Sequence, residues 1–415
     1  GTRQLTGAPL DANIGANSVV LRVSDGTVNV DQSFSITVSD VDNPPVGSVV
    51  INGVAAQGNI LTANTSGISD ADGVGGFNYQ WLRNNSNISG AVAGTYTLTQ
   101  ADVGSRISVR VSYTDGGGKL ETLTSAQTNT VTNTNDAPEG VPVINGVATQ
   151  GETLTANTSG ISDADGLGSG FSYQWLRSGA TISGATGINY ILVQADVDKL
   201  ITVRVRYTDG GGTLETLTSS ETGAVANVND APDGLPVING VVTQGQLLTA
   251  NTSGISDADG VGTFSYLWKR GTATVGTASS YTLVQADVGS TMTLTVSYTD
   301  DYGQLETLTS TPTTAVANVN DAPVGAPVIN GVAKQGEVLT ANTSGISDAD
   351  GVGSFNYQWL RSGATISGAT GINYTLVQAD VGSTITLTVS YTDGGGKLEQ
   401  LTSAPSATVR NTHAD

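Results

Sequence analysis

The sequence predicts an all-β protein built as a linear array of tandem seven-strand β-sandwiches, and three observations carry that prediction. Val, Thr, Ser and Asn fill much of the chain, with 54 Gly in 415 residues and aromatics at only 5%. β-Branched side chains suit a pleated sheet, and Gly, Asn and Asp suit tight turns. One unit of text recurs four times, marked by Trp81, Trp175, Trp268 and Trp359 at spacings of 94, 93 and 91 residues. That period is too long for a solenoid repeat and right for a sandwich with its own core. Within each unit, runs of period-two alternation lie between turn residues, and no long helical period is present.

The copies fall at 44–136, 137–230, 231–321 and 322–415. Each carries LTANTSGISDADG before its tryptophan, and QADV, an alternating run and YTD after it. Around the tryptophan stand NYQWLR, SYQWLR, SYLWKR and NYQWLR. In the second copy PVING (142–146) reads as a short edge strand, because Pro cannot donate to a ladder. GETLTAN (151–157) alternates as strand B, and FSYQWLR (171–177) is strand C with Trp175 inward. INYILV (188–193) is strand E, LITVRVRYTD (200–209) strand F, and LETLTS onward strand G. Residues 1–43 differ: SVVLRVSDG (18–26) and FSITVSDVD (34–42) read as the closing hairpin of a partial upstream domain.

Charge and missing residue types exclude several functions. Acidic residues number 36 against 16 Lys and Arg, for a net charge of −20. Such a chain repels nucleic acid and anionic lipid, so neither is expected as a partner. With no Cys, disulfides, thiolate nucleophiles and Cys-based metal sites are ruled out. The single histidine, His413, sits at the C-terminal end, which leaves no histidine for catalysis in a core. No apolar run approaches the ~18 residues of a membrane-spanning helix, so no membrane insertion is expected. No leader is visible either, which reads as a segment of something longer. Every acidic candidate recurs with the repeat, and an enzyme rarely carries four copies of one site. No catalytic residue and no enzymatic activity are expected.

The Y-x-L-x-Q-A-D-V-x text at 96–104 and its copies, with a strand-C tryptophan and no disulfide, resembles the bacterial Ig-like/cadherin-like tandem repeats of large RTX-type surface adhesins. The likeness covers about 370 residues. Residues 1–43 resemble the end of a dystroglycan-type cadherin-like domain. The resemblance implies an extracellular location on a bacterial cell surface and a non-catalytic role as a spacer. The glycine-rich nonapeptide arrays of RTX secretion domains are absent from the sequence, so that export route is an inference.

Three acidic motifs recur. The linkers carry Asp40, Asp42 and Asn43, then Asn135 and Asp136, Asn229 and Asp230, and Asn320 and Asp321. DADG, between strands B and C, supplies Asp70 and Asp72, Asp163 and Asp165, Asp257 and Asp259, and Asp348 and Asp350. The F–G turn YTDGGGxLE, varied in the third copy, supplies Asp115, Asp209, Asp300 and Asp393, with Glu121, Glu215, Glu306 and Glu399 following. In a sandwich of this topology the entering linker and both loops lie at one end. Carboxylates gathered there repel unless a counterion is present, and Ca²⁺ with six to eight oxygen ligands answers that need. Cadherin-type linkers resemble this arrangement, but N-x-N-D-A-P has Asn for one carboxylate and Ala after the Asp, so the number of ions per junction stays open. The plain alternative is that Asp-Gly pairs are ordinary turn formers.

Other features read as structural. Asp102, Asp196, Asp287 and Asp380 of QADV lie in the E–F loop at the opposite end, as turn caps. Tyr79 and Trp81 with their copies could stack a sugar, but a strand-C tryptophan is ordinarily core. The Asn-Thr-Ser tracts at Asn64, Asn157, Asn251 and Asn342 are read as polar strand ends rather than glycosylation sites. The expected role is a calcium-rigidified extender whose partners are neighbouring domains of the same long chain. The alternatives are a directly adhesive module for cells, glycans or a protein, with the divergent third copy as its best candidate, or a self-assembling fibre of like chains.

Overall fold

The computed structural model describes residues 4, 6–168 and 170–412, and His413 lies outside them. The chain divides into two compact units, Gly1–Ala226 and Asn227–Asp415. Among the described residues no helix is long and apolar enough to cross a membrane.

The first unit opens with a hairpin of β1 (Gly15–Ser24) and β2 (Asn29–Val38), in register from Gly15↔Val38 to Ser24↔Asn29. Asp25 Oδ1 closes its turn by accepting the N–H groups of Thr27 and Val28 at 2.9 and 2.8 Å. The first copy follows as β3 (Val50–Asn52), β4 (Ile60–Asn64), β5 (Asn78–Arg83), β6 (Ser86–Asn87), β7 (Thr95–Thr97), β8 (Ile107–Thr114) and β9 (Leu120–Thr124). These form two antiparallel sheets, β3-β4-β7 and β6-β5-β8-β9. This is an Ig-like sandwich with strands A, B and E on one side and C′, C, F and G on the other. The same three-plus-four order recurs in the second copy and, within the second unit, in the third and fourth.

Period-two alternation decides which face of each strand is buried. Along β8, Ile107, Val109, Val111 and Tyr113 are buried, and the first three share one core cluster with Trp81 of the neighbouring strand β5 and with Leu61, Leu98 and Val131. Trp81, Trp175, Trp268 and Trp359 are each 0% exposed, so the strand-C tryptophan is core and offers no sugar platform. The Trp81 ring stacks on Tyr96 at 5.8 Å, and its Nε1–H donates to the Ala93 carbonyl at 2.9 Å. Burying an indole of this size contributes about 4–6 kcal/mol by area. The seventh strand, β6, is only two residues and has no period to read. It forms because Asn84 and Asn85 accept φ of 47° and 70° and turn the chain back on β5.

The E–F turn is a short 3-10 helix, Gln100–Asp102 in the first copy, and Asp102 is fully buried. Its carboxylate accepts the Thr99 N–H at 2.8 Å, the Tyr96 hydroxyl at 2.9 Å and Arg83 Nε at 2.8 Å. Asp196, Asp287 and Asp380 are equally buried and pair with Arg177, Arg270 and Arg361. The QADV aspartate is thus a turn cap, as expected, and also one half of an inward ion pair.

Candidate metal centre at the linkers

Two loops and a linker meet at the end of each copy opposite the QADV turn. The B–C and F–G loops are stitched together by the backbone. Gly116, Gly210, Asp301 and Gly394 donate their N–H groups to the carbonyls of Asp72, Asp165, Asp259 and Asp350 at 2.8, 3.0, 3.1 and 2.9 Å. The linker is latched onto the same loop. The N–H groups of Asn43, Asp136, Asp230 and Asp321 donate to Oδ2 of Asp72, Asp165, Asp259 and Asp350 at 2.6–2.7 Å. Sequence alone placed all three motifs at one end, and the latch fixes the atoms.

The first aspartate of DADG has both oxygens engaged by protein donors. In Asp70, Asp163, Asp257 and Asp348, Oδ1 caps the N–H of the second aspartate at 2.9–3.0 Å. Their Oδ2 atoms accept the hydroxyls of Tyr113, Tyr207, Tyr298 and Tyr391 at 2.5–2.6 Å. Burial, and then the acceptor carboxylate, push all four of these tyrosines well above their ordinary value. Tyr190 and Tyr281, beside Asp196 and Asp287, are pushed up to about 12, by burial first. A proton held more tightly in the folded state gives stability that is present below the unfolded value of about 10 and lost as pH rises through the folded one. Alkaline titration followed by tyrosinate absorbance is therefore expected to show these side chains ionising near pH 12 or above, together with unfolding. Ionisation near pH 10 with the fold intact would contradict the assignment.

The F–G aspartate is the unusual group. Oδ1 of Asp115, Asp209, Asp300 and Asp393 accepts a turn N–H from Lys119, Thr213, Gln304 and Lys397 at 2.7–2.8 Å. Oδ2 of each is buried with no hydrogen-bond partner, and the four residues are only 5–7% exposed. Asp165 Oδ1 is in the same condition. A buried carboxylate oxygen without a donor is costly, and native folds seldom leave one without a reason. Nearby amide oxygens add to the set: Asn133, Asn227 and Asn318 each bury an unpartnered Oδ1. The middle glycine of the F–G turn makes room for these linker side chains. A Cβ at Gly117 would collide with the Asp40 carboxylate, and one at Gly211 or Gly395 with the amide of Asn133 or Asn318.

Other linker residues take partners of their own. Asn135, Asn229 and Asn320 donate their amides to Glu215, Glu306 and Glu399 at 3.0–3.1 Å. Asp136 and Asp321 accept Nε2 of Gln57 and Gln244, from the preceding copy, at 2.6 and 2.8 Å. Gln285 reaches forward to Asp350 Oδ1 at 2.9 Å. Asp350 is held below its ordinary value, chiefly by the Asp321 N–H, with Asn318 and Gln285 helping and burial opposing. Sequence reading passed over these glutamines and the first linker asparagine. Their recurrence at one repeat position, as at Gln57, Gln150, Gln244 and Gln335, was the available signal.

At the first linker, Asp42, Asp115 and Glu121 present oxygens within 4.8 Å of one another. The Lys119 ammonium sits among them, paired with Asp42 and 3.1 Å from Glu121 Oε1. The Asp42 contact, then Glu121, raise the Lys119 value well above normal. Among the described residues the unpartnered side-chain atoms gathered here are carboxylate and amide oxygens, with no imidazole or thiolate beside them. That chemistry fits a hard cation of the Ca²⁺ kind and not Zn²⁺ or Cu²⁺.

No protein-family model matches the chain, and no curated protein matches it. Among solved structures it is similar to a Ca²⁺-stabilized adhesin that helps an Antarctic bacterium reach out and bind ice. That likeness has 14% identity and a TM-score of 0.34, over 88% of this chain and 99% of that one. It is also similar to a tetra-tandem repeat in the extending region of a large adhesion protein, at 16% identity, a TM-score of 0.28, and 88% and 99% coverage. An ectodomain fragment of ICAM-5 gives 11%, 0.30, and 86% and 96%. At these identities and TM-scores the likeness says nothing of ligands.

Proposed function

We propose that this chain is a calcium-stiffened spacer in a long bacterial surface protein, structural rather than catalytic. Its domains would be a partial cadherin-like one at 1–43 and Ig-like ones at 44–136, 137–230, 231–321 and 322–415. The observation that carries the reading is the repeated one: in all four copies the F–G aspartate buries an oxygen without a partner, beside a linker tied to the same loops. Asp115, Asp209, Asp300 and Asp393 are assigned as ligands, together with Asp72, Asp165, Asp259 and Asp350 and the linker residues Asp40, Asp42, Asp136, Asp230 and Asp321. Asp70, Asp163, Asp257 and Asp348 position the loop: one oxygen of each caps the N–H of the second aspartate and the other ties the loop to a buried strand-F tyrosine. Asn43 and the linker asparagines Asn135, Asn229 and Asn320 join linker to loop or strand G.

A bound divalent ion would supply positive charge to these oxygens. Linker, B–C loop and F–G turn would then be held as one body, and a neighbour could no longer swing freely. Calorimetric titration with Ca²⁺ is expected to give dissociation constants of about 10⁻⁴–10⁻³ M, as in extracellular modules. Small-angle scattering is expected to show a longer maximum dimension with calcium than with chelator. No binding heat, together with an identical scattering profile, would overturn the reading.

A further inference from the structure

We propose that Lys119 is a tethered cation that holds the first linker closed and competes with a divalent ion for the same carboxylates. The inference rests on reading these linkers as calcium sites. Its starting point is a difference among the copies. Where the first linker has Asp42, the later ones have Asn135, Asn229 and Asn320. Each of those asparagines donates its amide to the strand-G glutamate, so linker and domain join through a neutral donor. Asp42 has no proton to donate and would repel Glu121. The Lys119 ammonium bridges the two. In the second and third copies Thr213 and Gln304 occupy the lysine position. In the fourth it is Lys397, which makes no ion pair among the described residues, because Asn320 already serves Glu399.

The ammonium sits within the group a divalent ion would use. Asp42, Asp115 and Glu121 gather their oxygens within 4.8 Å, and Asp115 Oδ2 is buried and unpartnered. An ammonium has three donors and one charge, whereas Ca²⁺ takes six to eight oxygens with two. The lysine side chain is 53% exposed and can move into water when displaced. The first linker therefore has two closed forms, one held by lysine at low calcium and one by metal at high calcium. The second copy has no such tethered cation: its linker keeps the Asn135–Glu215 hydrogen bond, and nothing there competes with the ion for the carboxylates.

Hydrogen exchange of the full chain across a Ca²⁺ titration, read peptide by peptide, tests this. In the wild type, peptides covering 39–46 and 115–121 are expected to reach half-protection at about tenfold higher calcium than those covering 209–215. Lys119→Thr, which copies the second unit, is expected to remove that tenfold offset and to speed exchange in 39–46 when chelator is present. Lys119→Arg keeps the charge and is expected to behave as wild type, which separates loss of charge from loss of fold. If Lys119→Thr leaves the midpoint where it was while 209–215 still responds to calcium, the competition is refuted and the calcium reading stands. If no peptide responds to calcium in any variant, both fall together.

Discussion

Asp102→Ala is expected to unfold the first copy at room temperature or bring it close to unfolding, while the rest of the chain stays folded. The side chain is fully buried and receives Arg83, the Tyr96 hydroxyl and the Thr99 N–H. Removing it leaves the part-buried Arg83 guanidinium, the Tyr96 hydroxyl and the Thr99 amide without their acceptor. Breaking one side of such a pair costs about 3–5 kcal/mol, against a total of about 5–15 kcal/mol for a small domain. Burial pushes the Asp102 carboxyl up, but the Thr99, Arg83 and Tyr96 hydrogen bonds outweigh it and leave it below the ordinary range. A lowered folded value means that its stabilisation is present above the unfolded value of about 4 and is lost as pH falls through the folded one. Exchange of the β8 peptide at neutral pH, and again below pH 4, measures both effects. A variant with native-like protection of β8 would show that the ion pair is dispensable.

The second large effect is a change of sign at Asp209. Asp209→Asn keeps Oδ1 for the Thr213 N–H and replaces the unpartnered buried Oδ2 with an amide donor. Without calcium, this removes a buried carboxylate oxygen that has no donor and is expected to stabilise the second copy by about 1–3 kcal/mol. With saturating calcium the same change removes a charged ligand. The variant is then expected to be less stable than wild type and to bind calcium at least ~100-fold more weakly at that copy, equivalent to ~2.7 kcal/mol. Urea unfolding of both proteins with chelator and with calcium gives the four stabilities needed. If Asp209→Asn is destabilising to the same extent in both conditions, Asp209 is an ordinary turn residue and not a ligand.

The two experiments address the opposite ends of one sandwich. At the QADV end both oxygens of the buried aspartate are satisfied by protein donors, as at Asp102 and Asp196. At the linker end, each F–G aspartate keeps one oxygen buried without a donor, while the loops around it are already joined by backbone hydrogen bonds. The protein thus places its self-sufficient carboxylate where the copy must hold itself together. The unsatisfied one sits where a neighbour must be attached.

The sequence by itself determined the all-β, tandem Ig-like fold class and which acidic motifs recur together. Alternation along residues 107–114 and the recurring tryptophan depend on neighbours one or two positions away, so a sheet face and a core residue can be read locally. The recurrence of DADG, YTD and the linker text four times over likewise marked one end of the sandwich without any coordinates. Tertiary structure decided which donors each carboxylate meets. Tyr113 reaches Asp70 across 43 residues, Gln57 reaches Asp136 across 79, and Lys119 pairs with Asp42 across 77. Each pairing exists only because two sheets fold over one another and bring those loops to a shared edge. Chemically identical aspartates in DADG and YTD differ for the same reason: a tyrosine hydroxyl from strand F arrives at Oδ2 of the first, and no donor arrives at Oδ2 of the second.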